Sequence, residues 1–229
     1  MPTSSSTSRH MATMDARVRG ARSSPATIAD EVLDVVAIAR AIAEPMIVVG
    51  HSSGGVVALE ALVALPAAFA GAVIHEAPVV TDLPLGSVEA NAALQAASDA
   101  GKPGRAIQIF TRDIVRIPAS QAWLIRGFLL FARTLRRRMP RQVDDTLAIR
   151  DLGDRLEQYA AIEMPVLLLG GEKSPAHLGA RLDSLEDTLP TSERVTMKGQ
   201  GHSANVAAPA EVASTIAEFV ARAFNTARS

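Results

Sequence analysis

The sequence predicts an α/β protein whose mostly parallel sheet is flanked by helices. Short apolar runs that end at a glycine or a polar residue alternate with longer stretches of helical periodicity. Four such runs are predicted as strands: Met46–Val49, Ala70–His75, Met164–Leu169 and Arg194–Met197. Strands that alternate with helices pair in parallel, so their carboxyl ends meet at one edge of the sheet. We therefore expect reactive side chains directly after these runs.

Composition narrows the class of protein. The chain has 229 residues, of which 48% are hydrophobic, so we expect one domain with an insertion. A net charge of −1 argues against electrostatic binding of nucleic acid, and the lack of cysteine excludes disulfides and thiolate catalysis. No apolar run is long enough to span a membrane, and the opening residues lack the apolar centre of a secretory signal. The sequence predicts a soluble cytoplasmic protein without a cofactor.

The chain divides by composition into three parts. Residues 1–14 are rich in Ser and Thr and are predicted to form a disordered tail. Residues 15–79 and 161–229 carry the strand and helix signals and form the predicted core. Residues 80–160 contain no strand signal, so we expect a helical insertion there. Its helices are predicted to be interrupted at five residues: Pro84, Gly101, Pro103, Pro118 and Pro140.

The strongest motif lies between the first apolar run and the helical pattern after it. Residues 50–54 read GHSSG and fit G-x-S-x-G with Ser52 in the middle, whereas Ser53 would lack the leading glycine. In this strand-turn-helix motif the serine has a strained backbone and an exposed hydroxyl. We expect Gly50 and Gly54 to be required because a Cβ at either would collide with a neighbouring strand or helix. The motif predicts Ser52 as a nucleophile; an ordinary glycine-rich turn is the alternative.

A nucleophilic serine needs a base, and His202 is the best candidate. It lies in the loop KGQGHS, after the last predicted strand and before the last helix. Neutral imidazole is suited to accepting the serine proton near pH 7. We expect His75 to line the site, and His51 stands at the variable position of the serine motif. No catalytic role is predicted for His10 or His177.

The sequence leaves several candidates for the acid that would orient the base. Its task is to hold the imidazole tautomer and to stabilise the imidazolium ion. Glu76 ends the strand beside that of the serine, and it is the preferred candidate. Glu172 follows the next strand, where Ser174 stands at the position of an expected aspartate. Asp82, or no acid at all, completes the alternatives.

These motifs together resemble the α/β-hydrolase fold with a helical cap. The resemblance is carried by GHSSGG, VIHEAP, PVLLLGGEKSP and GQGHSANVAAPAEVASTIAEFV, and it covers about residues 15–225. It implies a nucleophile at Ser52, a base at His202 and an oxyanion-hole amide at Ser53. Haloalkane dehalogenases of this fold have a Glu at the position of Glu76. Their nucleophile is an Asp, however, so the serine disfavours dehalogenation here.

The amino-terminal part departs from the family pattern. Residues 15–24 resemble the D-x-R-G-x-G-x-S segment that follows two or three strands in family members. Only fourteen polar residues precede this segment, so the chain is expected to lack those strands and the loop with a second oxyanion amide. Losing one oxyanion donor typically lowers the rate by on the order of 10²–10³. An uncovered sheet edge would also favour instability or association.

Two functions from different classes follow from the sequence. The first is a serine hydrolase that attacks a small carboxylic ester through an acyl-enzyme. The second is a non-catalytic or impaired protein of the same fold. A dinucleotide-binding protein is disfavoured because G-x-G-x-x-G does not follow the first strand. The predicted partner is a small-molecule substrate, with neither nucleic acid nor membrane.

Overall fold

The computed structural model describes residues 27–115 and 133–226. Within them, four parallel strands form one sheet in the order β1-β2-β3-β4. Their bounds are β1 Met46–His51, β2 Phe69–His75, β3 Val166–Gly171 and β4 Ser192–Met197. All four predicted strands are thus confirmed, and with them the α/β class. The predicted tail, 1–14, and the segment 15–24 lie outside the described residues.

Helices connect the strands. The longer ones are α1 Ile28–Ile42, α2 Ser53–Ala64, α3 Val88–Asp99, α4 Pro103–Ile109, α5 Arg133–Leu152, α7 Ala176–Thr188 and α9 Pro209–Thr226. Two are single turns, α6 Leu156–Tyr159 and α8 Ala204–Ala207. A π-helical turn, Phe110–Ile114, continues α4, and a 3₁₀ turn, Pro66–Ala68, precedes β2. The first helix begins with a capping box in which Thr27 and Asp30 bond each other's backbone amides.

The sheet is covered by helices on both faces because side chains of a buried strand alternate between them. Ile74 and Leu168 pack with the apolar sides of α1, α2 and α7 in one cluster. Val73, Leu167 and Leu169 pack with α9 in the other. This two-sided burial explains why β2 and β3 are almost continuously apolar.

Between β2 and β3 the described elements are all helical and have a core of their own. Leu94, Ile109, Val143 and Leu147 bring α3, α4 and α5 together in a third apolar cluster. One expectation was wrong here, because Pro140 does not break a helix but lies within α5. A proline inside a helix costs about 3 kcal/mol, and the tertiary burial of the α5 residues that follow it offsets this preference.

The strands end in register. Gly50 and His51 of β1 pair with Ile74 and His75 of β2, and Gly171 of β3 pairs with Met197 of β4. The carboxyl ends of all four strands therefore lie at one edge of the sheet, where residues 51–52, 76, 171–172 and 198–203 emerge. The segment after β2 is fixed by Arg181 of α7, whose buried guanidinium donates to the carbonyls of Val79, Leu83 and Pro84. Arg181 thus holds the chain in place just beyond Glu76.

None of the helices in the described part of the chain is long and apolar enough to cross a membrane.

Candidate active site

Ser52 stands at the turn between β1 and α2. Its backbone has φ 54° and ψ −127°, a left-handed region that residues with a Cβ rarely adopt. Two hydrogen bonds hold this turn: the Ser52 amide donates to the His75 carbonyl (2.9 Å), and the Gly55 amide donates to the Ser52 carbonyl (2.8 Å). Strain of this kind costs on the order of 1–3 kcal/mol and persists where the surroundings enforce it. The turn has the backbone that the sequence motif predicts for a nucleophile.

The glycines of the turn differ from the expectation. A Cβ on Gly50 would lie 2.6 Å from the Gly55 Cα, so Gly50 is required for close approach. A Cβ on Gly54 would meet nothing within 4 Å, so the predicted collision at Gly54 is wrong. The second crowded glycine is instead Gly55, where a Cβ would lie 2.7 Å from the Ala77 Cβ. Gly54 is exposed at the start of α2, whereas Gly55 faces the chain that leaves β2.

Gly54→Ala and Gly55→Ala therefore form a matched pair with opposite expected effects. Gly54→Ala should raise the free energy of unfolding by up to about 1 kcal/mol because alanine is the better helix former. Gly55→Ala should lower it by on the order of 1–3 kcal/mol because Ala77 must move. Urea denaturation of the two variants and of the wild type measures the difference. Equal stability of the two variants would contradict the packing described for this turn.

His202 and Glu76 come together across 126 residues of sequence. The His202 Nδ1 atom lies 2.7 Å from the Glu76 Oε2 atom, and the Glu76 side chain is only 1% exposed. The other carboxylate oxygen, Oε1, accepts a hydrogen bond of 2.8 Å from the Gly171 amide. Burial raises the pKa of Glu76, but the hydrogen bonds from His202 and from the Gly171 amide lower it below its ordinary value. Glu76 is therefore a carboxylate, which can accept a hydrogen bond from the Nδ1 atom of His202.

The alternative acids lie elsewhere. The Glu172 Oε2 atom accepts a hydrogen bond of 2.6 Å from the Gly199 amide, so Glu172 braces the base loop and not the imidazole. Asp82 is exposed on the segment after β2. Of the three predicted candidates, Glu76 is the one in contact with His202.

The Ser52 hydroxyl is not hydrogen-bonded to His202 in the described part of the chain. The loop of His202 nevertheless lies against the residue before Ser52, because the His51 Nε2 atom lies 2.8 Å from the His202 carbonyl oxygen. Catalytic hydrogen bonds are often long or poorly aligned in structures without substrate and tighten in the complex. The arrangement places a histidine–carboxylate pair beside the serine turn.

Three imidazoles cluster at this edge. The His51 ring lies 4.6 Å from both the His75 and the His202 rings, measured between centroids. Burial and the neighbouring His51 lower the pKa of His75 to about 4, and burial likewise lowers the pKa of His51. No group of three or more His, Cys, Asp or Glu residues suited to a metal ion occurs among residues 27–115 and 133–226. With these lowered pKa values, His51 and His75 are neutral near pH 7.

The lowered pKa of His75 makes stability depend on pH. Below about pH 6.5 the unfolded chain binds a proton at His75, whereas the folded chain does so only near pH 4. Stability is therefore lost as the pH falls through this window, by up to about 3 kcal/mol. His75→Gln should remove much of that loss. Chemical denaturation at pH 7.5, 6 and 4.5 measures it, and a variant whose stability falls as steeply as that of the wild type would contradict the assignment.

A contact that the sequence did not predict joins the serine turn to the helical insertion. The Ser53 hydroxyl donates a hydrogen bond of 2.9 Å to the Asp145 Oδ2 atom of α5. Arg141 of the same helix pairs with Glu31 of α1 and lies 3.9 Å from Asp145. Burial and the nearby Glu31 raise the pKa of Asp145 to about 6. The residue after the candidate nucleophile is thus tied to α5, although 92 residues separate the partners.

The family of this chain is established by its sequence. A sequence model of the alpha/beta hydrolase family matches residues 5–215. The chain therefore belongs to the alpha/beta hydrolase family, which confirms the resemblance drawn from the motifs. A search of curated protein sequences gave no match.

Solved structures of the same fold cover most of this chain. An alpha/beta hydrolase from Sphaerobacter thermophilus is 24% identical, with a TM-score of 0.70 over 91% of this chain and 86% of that one. A thermophilic esterase from Thermogutta terrifontis is 19% identical, with a TM-score of 0.66 over 87% and 74%. Proline iminopeptidase of Mycobacterium smegmatis is 19% identical, with a TM-score of 0.54 over 88% and 73%. At these levels of sequence identity, the similarity shows a shared fold and no more.

Proposed function

We propose that the protein is a serine hydrolase that cleaves a small carboxylic ester. Ser52 is the nucleophile, His202 the general base, Glu76 the acid that orients the base, and the Ser53 amide one donor of the oxyanion hole. The observation that carries the proposal is the 2.7 Å contact of His202 Nδ1 with the buried Glu76 carboxylate, next to a serine with φ 54°.

The chemistry follows from these positions. With its Nδ1 proton held by Glu76, His202 presents an unprotonated Nε2 that can take the Ser52 proton. The Ser52 oxygen attacks the ester carbonyl carbon, and the tetrahedral oxyanion is stabilised by the Ser53 amide at the start of α2. The carbon–alkoxide bond then breaks, and the leaving alcohol takes the proton from His202. Water activated by His202 attacks the acyl-enzyme, which releases the carboxylic acid and restores Ser52.

An ester is the favoured acyl bond, although the fold supports several chemistries. The structural neighbours include proteins described as an esterase, a proline iminopeptidase and a putative non-heme bromoperoxidase. An ester has a better leaving group than an amide, so its cleavage needs less stabilisation of the oxyanion. The proposed site has one assigned amide for that task. Small p-nitrophenyl esters are therefore the first substrates to test.

The second candidate is a non-catalytic member of the family. It is favoured by one observation: the Ser52 hydroxyl and His202 are not hydrogen-bonded in the described part of the chain. The two candidates are separated by a fluorophosphonate probe and a panel of p-nitrophenyl acetate, butyrate and octanoate, each applied to the folded protein. Hydrolysis with probe attached to Ser52 supports the enzyme. An unlabelled Ser52 in a chain shown to be folded by circular dichroism supports the non-catalytic protein.

A further inference from the structure

The loop that carries the candidate base has few side chains to hold it. Residues 198–203 read KGQGHS, and Gly199 has φ 72°. The loop is fixed from the β3 side by two contacts: the Glu172 carboxylate accepts from the Gly199 amide, and the Lys173 amide donates to the Gln200 carbonyl (2.7 Å). These contacts hold the loop before it reaches His202.

His51 holds the same loop from the side of the serine. Its Nε2 atom lies 2.8 Å from the backbone carbonyl oxygen of His202, and its ring lies against the His202 ring at 4.6 Å between centroids. A carbonyl oxygen only accepts hydrogen bonds, so Nε2 of His51 carries a hydrogen and donates it. Burial lowers the pKa of His51, which keeps this imidazole neutral with Nδ1 unprotonated. A second positive charge beside His202 is thereby avoided when His202 accepts a proton.

The place of His51 in the chain indicates what this contact does. His51 is the last residue of β1 and directly precedes Ser52, so its backbone is part of the strand that presents the nucleophile. We propose that His51 is a positioning residue for His202: its Nε2–H group anchors the backbone of the base to the serine turn, while Glu76 orients the imidazole. The assignment rests on the proposed function, because it concerns the same serine and base.

The spacing of Ser52 and His202 then depends on two hydrogen bonds: Glu76 holds the imidazole of His202, and His51 holds its backbone. Without the His51 bond, the backbone of the glycine-rich loop is held only from the β3 side, and we expect His202 to pivot about its remaining bond to Glu76. A displacement of about 1 Å in such a site can lower the rate on the order of 10²-fold. The hydrogen bond joins two groups of the protein, so we expect its loss to lower kcat and to leave KM nearly unchanged.

Two variants separate anchoring from packing. His51→Phe keeps an aromatic ring against His75 and His202 but cannot donate. His51→Gln places an amide nitrogen near the position of Nε2 and can still donate to the carbonyl. With p-nitrophenyl butyrate, we expect kcat to fall on the order of 10²-fold in His51→Phe with KM within threefold of the wild type. His51→Gln should retain kcat within about fivefold of the wild type, because it restores the anchor. A wild-type kcat in His51→Phe, or equal losses in the two variants, would overturn the proposal.

A readout without turnover keeps the inference distinct from the proposed function. In protein labelled with ¹⁵N-histidine, the His202 Nδ1 proton bonded to Glu76 should give an observable low-field resonance in the wild type and in His51→Gln. It should broaden or exchange with water faster in His51→Phe. If no variant hydrolyses esters, the proposed hydrolase fails, and an unchanged resonance in His51→Phe additionally rejects the anchor. Should His51→Phe not fold, His51→Asn replaces it, since its shorter amide does not reach the carbonyl.

Discussion

Ser52→Ala is expected to abolish both ester hydrolysis and labelling by a fluorophosphonate. The hydroxyl is the proposed attacking group, and without it neither the acyl-enzyme nor the phosphonyl adduct can form. Loss of the nucleophile in a serine hydrolase lowers kcat by on the order of 10⁶-fold. Initial rates with p-nitrophenyl butyrate and intact-protein mass spectrometry after labelling measure the two effects.

The adjacent serine provides the control. Ser53→Ala removes the hydrogen bond to Asp145 but keeps the backbone amide assigned to the oxyanion hole. This variant should still be labelled, and it should lose about 1 kcal/mol of stability with the side-chain hydrogen bond. Labelling that persists in Ser52→Ala and disappears in Ser53→Ala would move the nucleophile by one residue and refute the assigned register.

Glu76→Gln should lower kcat on the order of 10³–10⁴-fold, because it reverses the tautomer of the base. The Gly171 amide donates to Oε1, so a glutamine would keep its carbonyl oxygen on that side. Its NH₂ group would then face the His202 Nδ1 atom, which must become an acceptor. The remaining proton moves to Nε2, and His202 can no longer take a proton from Ser52.

Glu172→Gln is the matched control for this prediction. Glu172 directly follows β3, and its carboxylate accepts a hydrogen bond from the Gly199 amide, which a glutamine carbonyl can also do. We expect its kcat to stay within about fivefold of the wild type, since only a peripheral hydrogen bond is weakened. A wild-type rate in Glu76→Gln together with a large loss in Glu172→Gln would transfer the orienting role to Glu172.

The fold could be predicted because each strand has a local signal. The four apolar runs are short, end at polar or glycine residues and alternate with helical periodicity, and none of these properties depends on distant residues. Pro140 shows the limit of local reasoning. Its low helix propensity predicted a break, whereas the burial of Val143 and Leu147 within the insertion stabilises a continuous α5.

The site could be predicted only in part for a similar reason. Ser52 and His202 stand in recognisable motifs, and Glu76 directly follows β2, the strand next to that of the serine. The hydrogen bonds of His51 with His202 and of Ser53 with Asp145 join residues 151 and 92 positions apart. No periodicity or motif connects such positions. The motif predicts a packing role for Gly54, whereas in the structure the two crowded glycines of the serine turn are Gly50 and Gly55.

The position of Glu76 has a consequence for how the site assembles. Ser52 and Glu76 belong to one strand–helix–strand unit, residues 46–76, and the Ser52 amide is bonded directly to the residue before Glu76. Contacts that are close in sequence close small loops and form early in folding, whereas distant contacts form slowly. The spacing of the proposed nucleophile and the proposed acid is therefore set within 31 residues of chain. The proposed base is contributed by a loop 126 residues further along the chain. We therefore expect His202 to join the site after Ser52 and Glu76 have taken their positions.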